Sequence, residues 1–184
     1  DGIPYRTYPG THPTKGAYFT RGTTRDPYAR YSEAGNDYLY NVQRLLTKFE
    51  TAKALVPQPV ERKGAKESRF GVLYYGSTSP AMDEAFDALQ VQGIHVDLLR
   101  VRAFPFSEMV DRFIEAHPTV FVIEQNRDAQ LRTLLVTEQE LNPARLEPIL
   151  HFDGTPITAR FITEAIAQRI RQFNVEPIKK GKAA

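Results

Sequence analysis

Phe70-Gly71-Val72-Leu73-Tyr74-Tyr75-Gly76-Ser77-Thr78-Ser79-Pro80-Ala81-Met82 contains a change of period that decides the fold. A run of apolar and aromatic residues reads as a strand, and the small, hydroxyl-bearing residues after it read as a loop. Ser79 is placed to cap a helix with Pro80 at its first position, and Ala81, Met82, Ala85, Phe86 and Leu89 share the buried face of that helix. Gly93 ends it, and Ile94-His95-Val96-Asp97-Leu98-Leu99 is expected to be the next strand.

The same alternation continues downstream. Ser107 is expected to cap a helix whose inner face is Met109, Val110, Phe113 and Ile114. Val120-Phe121-Val122-Ile123 is almost wholly apolar, the composition of a strand covered on both faces. Leu131, Leu134 and Leu135 mark another helix, and Ile149-Leu150-His151 a further strand. Asp153-Gly154 is a turn, and Thr155-Pro156 is expected to open a last helix lined by Phe161, Ile162, Ala165, Ile166 and Ile170. Strand, short loop and helix in repetition imply right-handed crossovers, hence an α/β fold with a mostly parallel open sheet over residues 69–173.

Upstream, Leu39, Val42, Leu45, Leu46, Phe49, Ala52 and Leu55 fall at three- and four-residue spacings, which predicts a helix over 37–55. Asn36 or Asp37 can cap its start, and Pro57 stops it. Pro57 to Ser68 is proline-bearing and charge-rich and reads as a linker, with 61–68 dividing a segment 1–60 from the domain 69–173. The first 36 residues mix tyrosines with Pro4, Pro9, Pro13, Gly2, Gly10, Gly16 and Gly22 and keep no period, which indicates an irregular, ordered arm. Tyrosines gather where an apolar ring and a polar hydroxyl both find partners. The opening Asp1-Gly2-Ile3-Pro4-Tyr5 has no initiator methionine and reads as the continuation of a longer polypeptide.

Composition narrows the chemistry. The 184 residues hold no cysteine, which removes disulfides, thiolate metal sites and cysteine-held clusters from this chain and fits a reducing compartment. There is no run long and apolar enough for a membrane span. A formal charge of +2 is too small to indicate nucleic acid. The tail 174–184, with Lys179-Lys180-Gly181-Lys182, reads as a solvated basic terminus. His12, His95, His117 and His151 lack metal-ligand spacing, and His95 reads as a residue inside a strand.

Ligands of an open parallel sheet are expected beyond the carboxyl ends of its strands. Gly76-Ser77-Thr78-Ser79 lies there and suits either an anion or ordinary helix capping; it has neither the dinucleotide glycine pattern nor a P-loop lysine. Glu124-Gln125-Asn126-Arg127-Asp128 follows the most apolar strand. Glu124 can orient a donor, Asp128 can cap the next helix, and Arg127 can pair with either. The two carboxylates can also form an acid–base pair, or Glu124, Asn126, Arg127 and Asp128 a structural or interface network. His151 with Asp153 invites a hydrolase reading, but a serine in a nucleophile elbow is missing. The densest polar set lies in the arm, where His12, Lys15 and Arg21 can neutralise a carboxylate or phosphate or else form salt bridges across an interface.

The arm Pro4-Tyr5-Arg6-Thr7-Tyr8-Pro9-Gly10-Thr11-His12-Pro13-Thr14-Lys15-Gly16-Ala17-Tyr18-Phe19-Thr20-Arg21-Gly22 closely resembles a segment of the α subunit of 2-oxoacid:ferredoxin oxidoreductases, especially the 2-oxoglutarate branch. The resemblance continues through Leu98–Phe106, Val122–Leu131 and Asp153–Thr158 and covers nearly the whole chain. It implies that residues 69–173 resemble the C-terminal domain of transketolase. It also implies that residues 1–60 resemble the end of the pyrimidine-side thiamine diphosphate domain and its exit segment. Members of that family use thiamine diphosphate and magnesium to decarboxylate a 2-oxoacid. The acyl group passes to coenzyme A and the electrons pass through a [4Fe-4S] cluster to ferredoxin. By that resemblance the cofactor-activating glutamate lies upstream of this chain, and the magnesium–diphosphate motif and cluster cysteines lie on the β subunit. The chain then holds no cofactor alone, contributes no catalytic residue and has no turnover by itself. It works in the cytoplasm with the upstream α segment, the β subunit and ferredoxin. His12, Thr14, Lys15 and Arg21 stand near 2-oxoacid or coenzyme A. A noncatalytic module that docks a partner protein is the other reading.

Overall fold

A computed structural model describes residues 1–16 and 22–175. The chain forms two compact units, one spanning residues 1–56 and one beginning at Pro57.

In the first unit two short strands, β1 (Thr24–Arg25) and β2 (Tyr31–Ser32), pair antiparallel ahead of helix α1 (Gly35–Leu55). The expected capping by Asn36 or Asp37 does not occur: the N-cap is Ala34, and the Asp37 carboxylate instead accepts a hydrogen bond from the Ser32 hydroxyl. Helix α1 ends at Leu55, just before the proline that cannot continue it.

The second unit contains β3 (Val60–Arg62), β4 (Phe70–Tyr75), α2 (Ser79–Val91), β5 (Asp97–Val101), α3 (Glu108–Ala116), β6 (Thr119–Glu124), α4 (Gln130–Glu138), β7 (Leu146–Leu150) and α5 (Ala159–Val175). The sheet order is β3-β5-β4-β6-β7, parallel throughout except for β3, which runs antiparallel on the β5 edge. This is the mostly parallel α/β sheet expected from the sequence. Val60–Arg62 corrects the linker reading: its residues are exposed and partly charged, so no apolar alternation announced an edge strand.

Each of the parallel strands β4–β7 divides its side chains between two cores, as the period of two requires. Val72, Leu98, Phe121 and Ile149 face α2 and α5, whereas Leu73, Leu99, Val122 and Leu146 face α3 and α4. The division follows from chain direction. Leaving β4 for β5 and then returning past β4 to β6 reverses the direction of travel, and a right-handed crossover must then lie on the opposite face. Gly71 allows one close approach, since a Cβ there would stand 2.7 Å from the Phe113 ring.

Several element boundaries differ from expectation: α1 starts at Gly35 rather than Asp37, and β7 spans Leu146–Leu150 rather than Ile149–His151. The second strand of the domain begins at Asp97 rather than Ile94, because its ladder starts where Gly71 lies opposite Asp97. His95 therefore lies before the strand, not within it. Ser79 is the first residue of α2 rather than its cap, because a 3-10 turn over Gly76–Thr78 runs directly into the helix. The last helix begins at Ala159, not at Thr155-Pro156; the Thr158 hydroxyl accepts from the Phe161 amide at 3.2 Å and caps it.

Candidate functional site

The topological switch point lies beside β4, whose chain continues to β5 on one side and whose neighbour on the other is β6. The loops after β4 and β6 flank the crevice in which doubly wound folds hold ligands. Here side chains of the domain itself bridge those loops. Gln125 Nε2 donates to Ser77 Oγ at 2.9 Å and to Thr78 Oγ1 at 3.2 Å.

Glu124 ends β6 and is fully buried. Its Oε2 accepts from the Leu131 amide at 2.7 Å and from Asn126 Nδ2 at 2.8 Å; its Oε1 accepts from the Arg132 amide at 3.0 Å. Asn126 Oδ1 takes the amides of Asp128 at 3.1 Å and Gln130 at 3.2 Å. Ala129, in the left-handed conformation at φ 50°, precedes the helix and turns its first amides onto these two side chains. The N-terminus of α4, an anion site by its dipole and free amides, is thus filled by a carboxylate of the same chain. Asp128 does not cap the helix and forms no acid–base pair with Glu124. It is exposed and accepts from Arg127 Nε at 2.8 Å.

The third loop at this edge supports no hydrolase. His151 Nε2 lies 3.5 Å from Asp153 Oδ1, but that oxygen already accepts from the Thr155 amide and hydroxyl at 2.8 and 2.7 Å. The hydroxyl bond, then the amide bond, hold the Asp153 carboxyl below its usual range.

In the arm, His12, Thr14 and Lys15 come together in one exposed turn. His12 Nδ1 accepts from the Lys15 amide at 3.0 Å and from the Thr14 amide at 3.2 Å. The ring is thereby held in the turn through Nδ1. The Thr7 hydroxyl bonds to the Lys15 carbonyl and closes the turn. Arg21 lies outside the described residues. A cleft of about 510 Å³ in the same unit is lined by Asp1–Tyr5, by the turn around Asp26 and by Tyr40, Asn41 and Arg44 of α1.

One polar cluster escaped the sequence reading. The buried Asp97 carboxylate accepts from the Gly64 amide at 2.8 Å and Lys63 Nζ at 3.2 Å, and it lies 3.2 Å from His117 Nε2. Burial pushes its pKa up, but the Gly64, Lys63 and His117 contacts outweigh burial and hold it below the usual aspartate range. A lone aspartate between Val96 and Leu98 was the available signal; its partners are distant in sequence.

No family model matches the chain. The curated 2-oxoacid:ferredoxin oxidoreductase subunit alpha of Saccharolobus solfataricus is 24% identical over 166 residues, 88% of this chain and 26% of that protein. A structure of 2-oxoglutarate:ferredoxin oxidoreductase from Magnetococcus marinus with 2-oxoglutarate, coenzyme A and succinyl-CoA bound superposes with a TM-score of 0.77 at 19% identity, over 92% of this chain and 29% of that one. The alpha chain of a probable 2-oxoacid ferredoxin oxidoreductase from Thermoplasma acidophilum reaches a TM-score of only 0.42 at 22% identity, over 62% of this chain and 97% of that one. The chain therefore spans about a quarter of the length of the curated relative it matches. The resemblance to 2-oxoacid:ferredoxin oxidoreductase α subunits read from the arm and the α/β segments is matched by this relative and, for the fold, by the first of the two structures.

Proposed function

We propose that this chain is the C-terminal portion of the α subunit of a thiamine-dependent 2-oxoacid:ferredoxin oxidoreductase acting on 2-oxoglutarate. The complete complex decarboxylates the 2-oxoacid, transfers the acyl group to coenzyme A and delivers the electrons to ferredoxin in the cytoplasm. The observation that carries this reading is similarity along nearly the whole chain, arm and sheet domain together, to one kind of subunit. Residues 1–56 then represent the end of the pyrimidine-side cofactor domain with its exit segment, and the unit that begins at Pro57 a transketolase C-terminal-like domain with β3 on its edge, followed by the basic tail that carries Lys179, Lys180 and Lys182.

Among the described residues the donors do not fit thiamine diphosphate, magnesium or a [4Fe-4S] cluster. There is no cysteine, and among the described residues no three carboxylates or imidazoles group as metal ligands. The loops at the switch point are tied together by Gln125, and the α4 amides are taken by Glu124. In this reading the cofactors belong to the upstream α segment and the β subunit, and the sheet domain is a scaffold. The arm is the part nearest the chemistry. Lys15 and Arg21 supply positive charge toward the 2-oxoacid carboxylate or coenzyme A, while His12 and Thr14 supply hydrogen-bonding groups.

Kinetics of the complete complex test the arm. Arg21→Ala is expected to raise the Michaelis constant for 2-oxoglutarate or coenzyme A at least tenfold. Unchanged constants for both would remove the arm from substrate contact. Isolation of the native protein without a cysteine-rich partner and without 2-oxoacid-dependent ferredoxin reduction would favour a noncatalytic docking module.

A further inference from the structure

Helix α1 holds its own chain with its polar side. Asn41 Nδ2 donates to Thr24 Oγ1 and to the Arg25 carbonyl, both at 2.7 Å. Arg44 donates to the Gly2 carbonyl at 2.9 Å, and Thr51 Oγ1 to the Asp1 carbonyl at 2.7 Å. Gly2, at φ 69°, lies so close that a Cβ would stand 2.4 Å from the Lys48 amide nitrogen. Positions 41, 44, 48 and 51 lie on one side of the helix.

The apolar residues lie on another side and are left outward. Tyr38, Leu39, Val42, Leu45 and Leu46 are 50%, 53%, 37%, 41% and 62% exposed, and no residue of the 21-residue helix is buried. At 3.6 residues per turn these five positions spread over about 120° of the helix surface. Most helical stability in proteins comes from burying such a stripe.

The width of the stripe selects what covers it. A single pairing helix meets a narrow seam at three- and four-residue spacing, here Tyr38, Val42 and Leu45. Leu39 and Leu46 widen the stripe well beyond that seam, as in a helix facing a globular core. Such a surface is available in quantity, because the similar portion occupies only 26% of the curated relative and 29% of the superposed chain. We infer that the outward stripe of α1 is a docking surface for an apolar face of a folded domain in the remainder of a longer α-type polypeptide. This inference rests on the functional reading above.

Hydrogen exchange of the α1 amides tests it, measured in the isolated 184-residue chain and in the native polypeptide purified from cells. The expected result is at least 100-fold greater protection in the native polypeptide. Equal exchange in both would overturn the inference, as would a native polypeptide no longer than this chain. Protection already present in the isolated chain would overturn it too: a dimer mass would place a second copy on the stripe, and a monomer mass another part of this chain. Leu46→Asp should leave the far-ultraviolet dichroism of the isolated chain unchanged while lowering the yield of soluble native polypeptide at least tenfold; an unchanged yield would count against docking. Protected α1 amides in a protein that does not reduce ferredoxin would keep the docking surface and remove the functional reading. Exposed amides in an active oxidoreductase would do the reverse.

Discussion

Replacing Glu124 by glutamine keeps the size of the side chain and removes its charge at a buried position where three donors converge. The glutamine oxygen can take the place of Oε2 and still accept from the Leu131 amide and Asn126 Nδ2. The amide nitrogen then occupies the place of Oε1, 3.0 Å from the Arg132 amide, and sets donor against donor. An unsatisfied buried amide costs about 1–3 kcal/mol, and the lost charge at the helix N-terminus costs up to about 2 kcal/mol more when partly buried. Together the substitution should destabilise the second unit by roughly 3 kcal/mol. That corresponds to a fall in melting temperature on the order of 10 °C for a domain of this size. The assay is urea unfolding followed by circular dichroism, with Asp128→Asn as the reference. Asp128 pairs with Arg127 in solvent, so its neutralisation should cost less than about 1 kcal/mol. Raising the salt concentration should leave the Glu124 effect nearly intact, because the carboxylate is buried. A Glu124→Gln variant within about 0.5 kcal/mol of the parent would refute the view that this carboxylate fills the helix N-terminus.

The Asp97 cluster predicts an acid-sensitive stability. The folded carboxyl sits below its unfolded value, so the unfolded state binds more protons as the pH falls. The contribution is complete above the free aspartate value of about 3.9 and is lost as the pH falls from there through the folded value. Urea midpoints measured from pH 6 down to pH 3 should decline more steeply for the parent than for Asp97→Asn. Gly71→Ala places a methyl group 2.7 Å from the Phe113 ring and 3.1 Å from the His117 ring. Overpacking there should cost about 1–3 kcal/mol, and a neutral result in thermal unfolding would show that α3 can move aside freely.

Most of the sheet domain could be read from local pattern. Val72–Tyr74 and Val120–Ile123 are apolar on both faces because helices cover both faces, and that requirement is written residue by residue. The stripes Met82, Ala85, Phe86 and Leu89, and Ile162, Ile166 and Ile170, announce helices for the same reason. The edge strand Val60–Arg62 was hidden because its residues are exposed and partly charged, so no apolar alternation marks them, and Arg62 reaches back over the Phe86 ring through its guanidinium. The start of β5 was misplaced because Ile94, Val96 and Leu98 continue an apolar pattern upstream of the point where pairing with β4 begins.

In the candidate site, the sequence determined that a polar loop follows β6 and that a charged, glycine-rich arm precedes α1. Composition and period suffice for that, since each depends on neighbours a few residues apart. Tertiary structure decided which carboxylate went where. Glu124 turns inward because it is the last β6 residue on the α4 side, and left-handed Ala129 brings the helix amides to it. Asp128, four residues later, is left to solvent and Arg127. The Asp97 cluster and the Gln125 bridge likewise join groups 20 to 48 residues apart. Such pairings depend on strand order and crossover direction, which no local periodicity encodes.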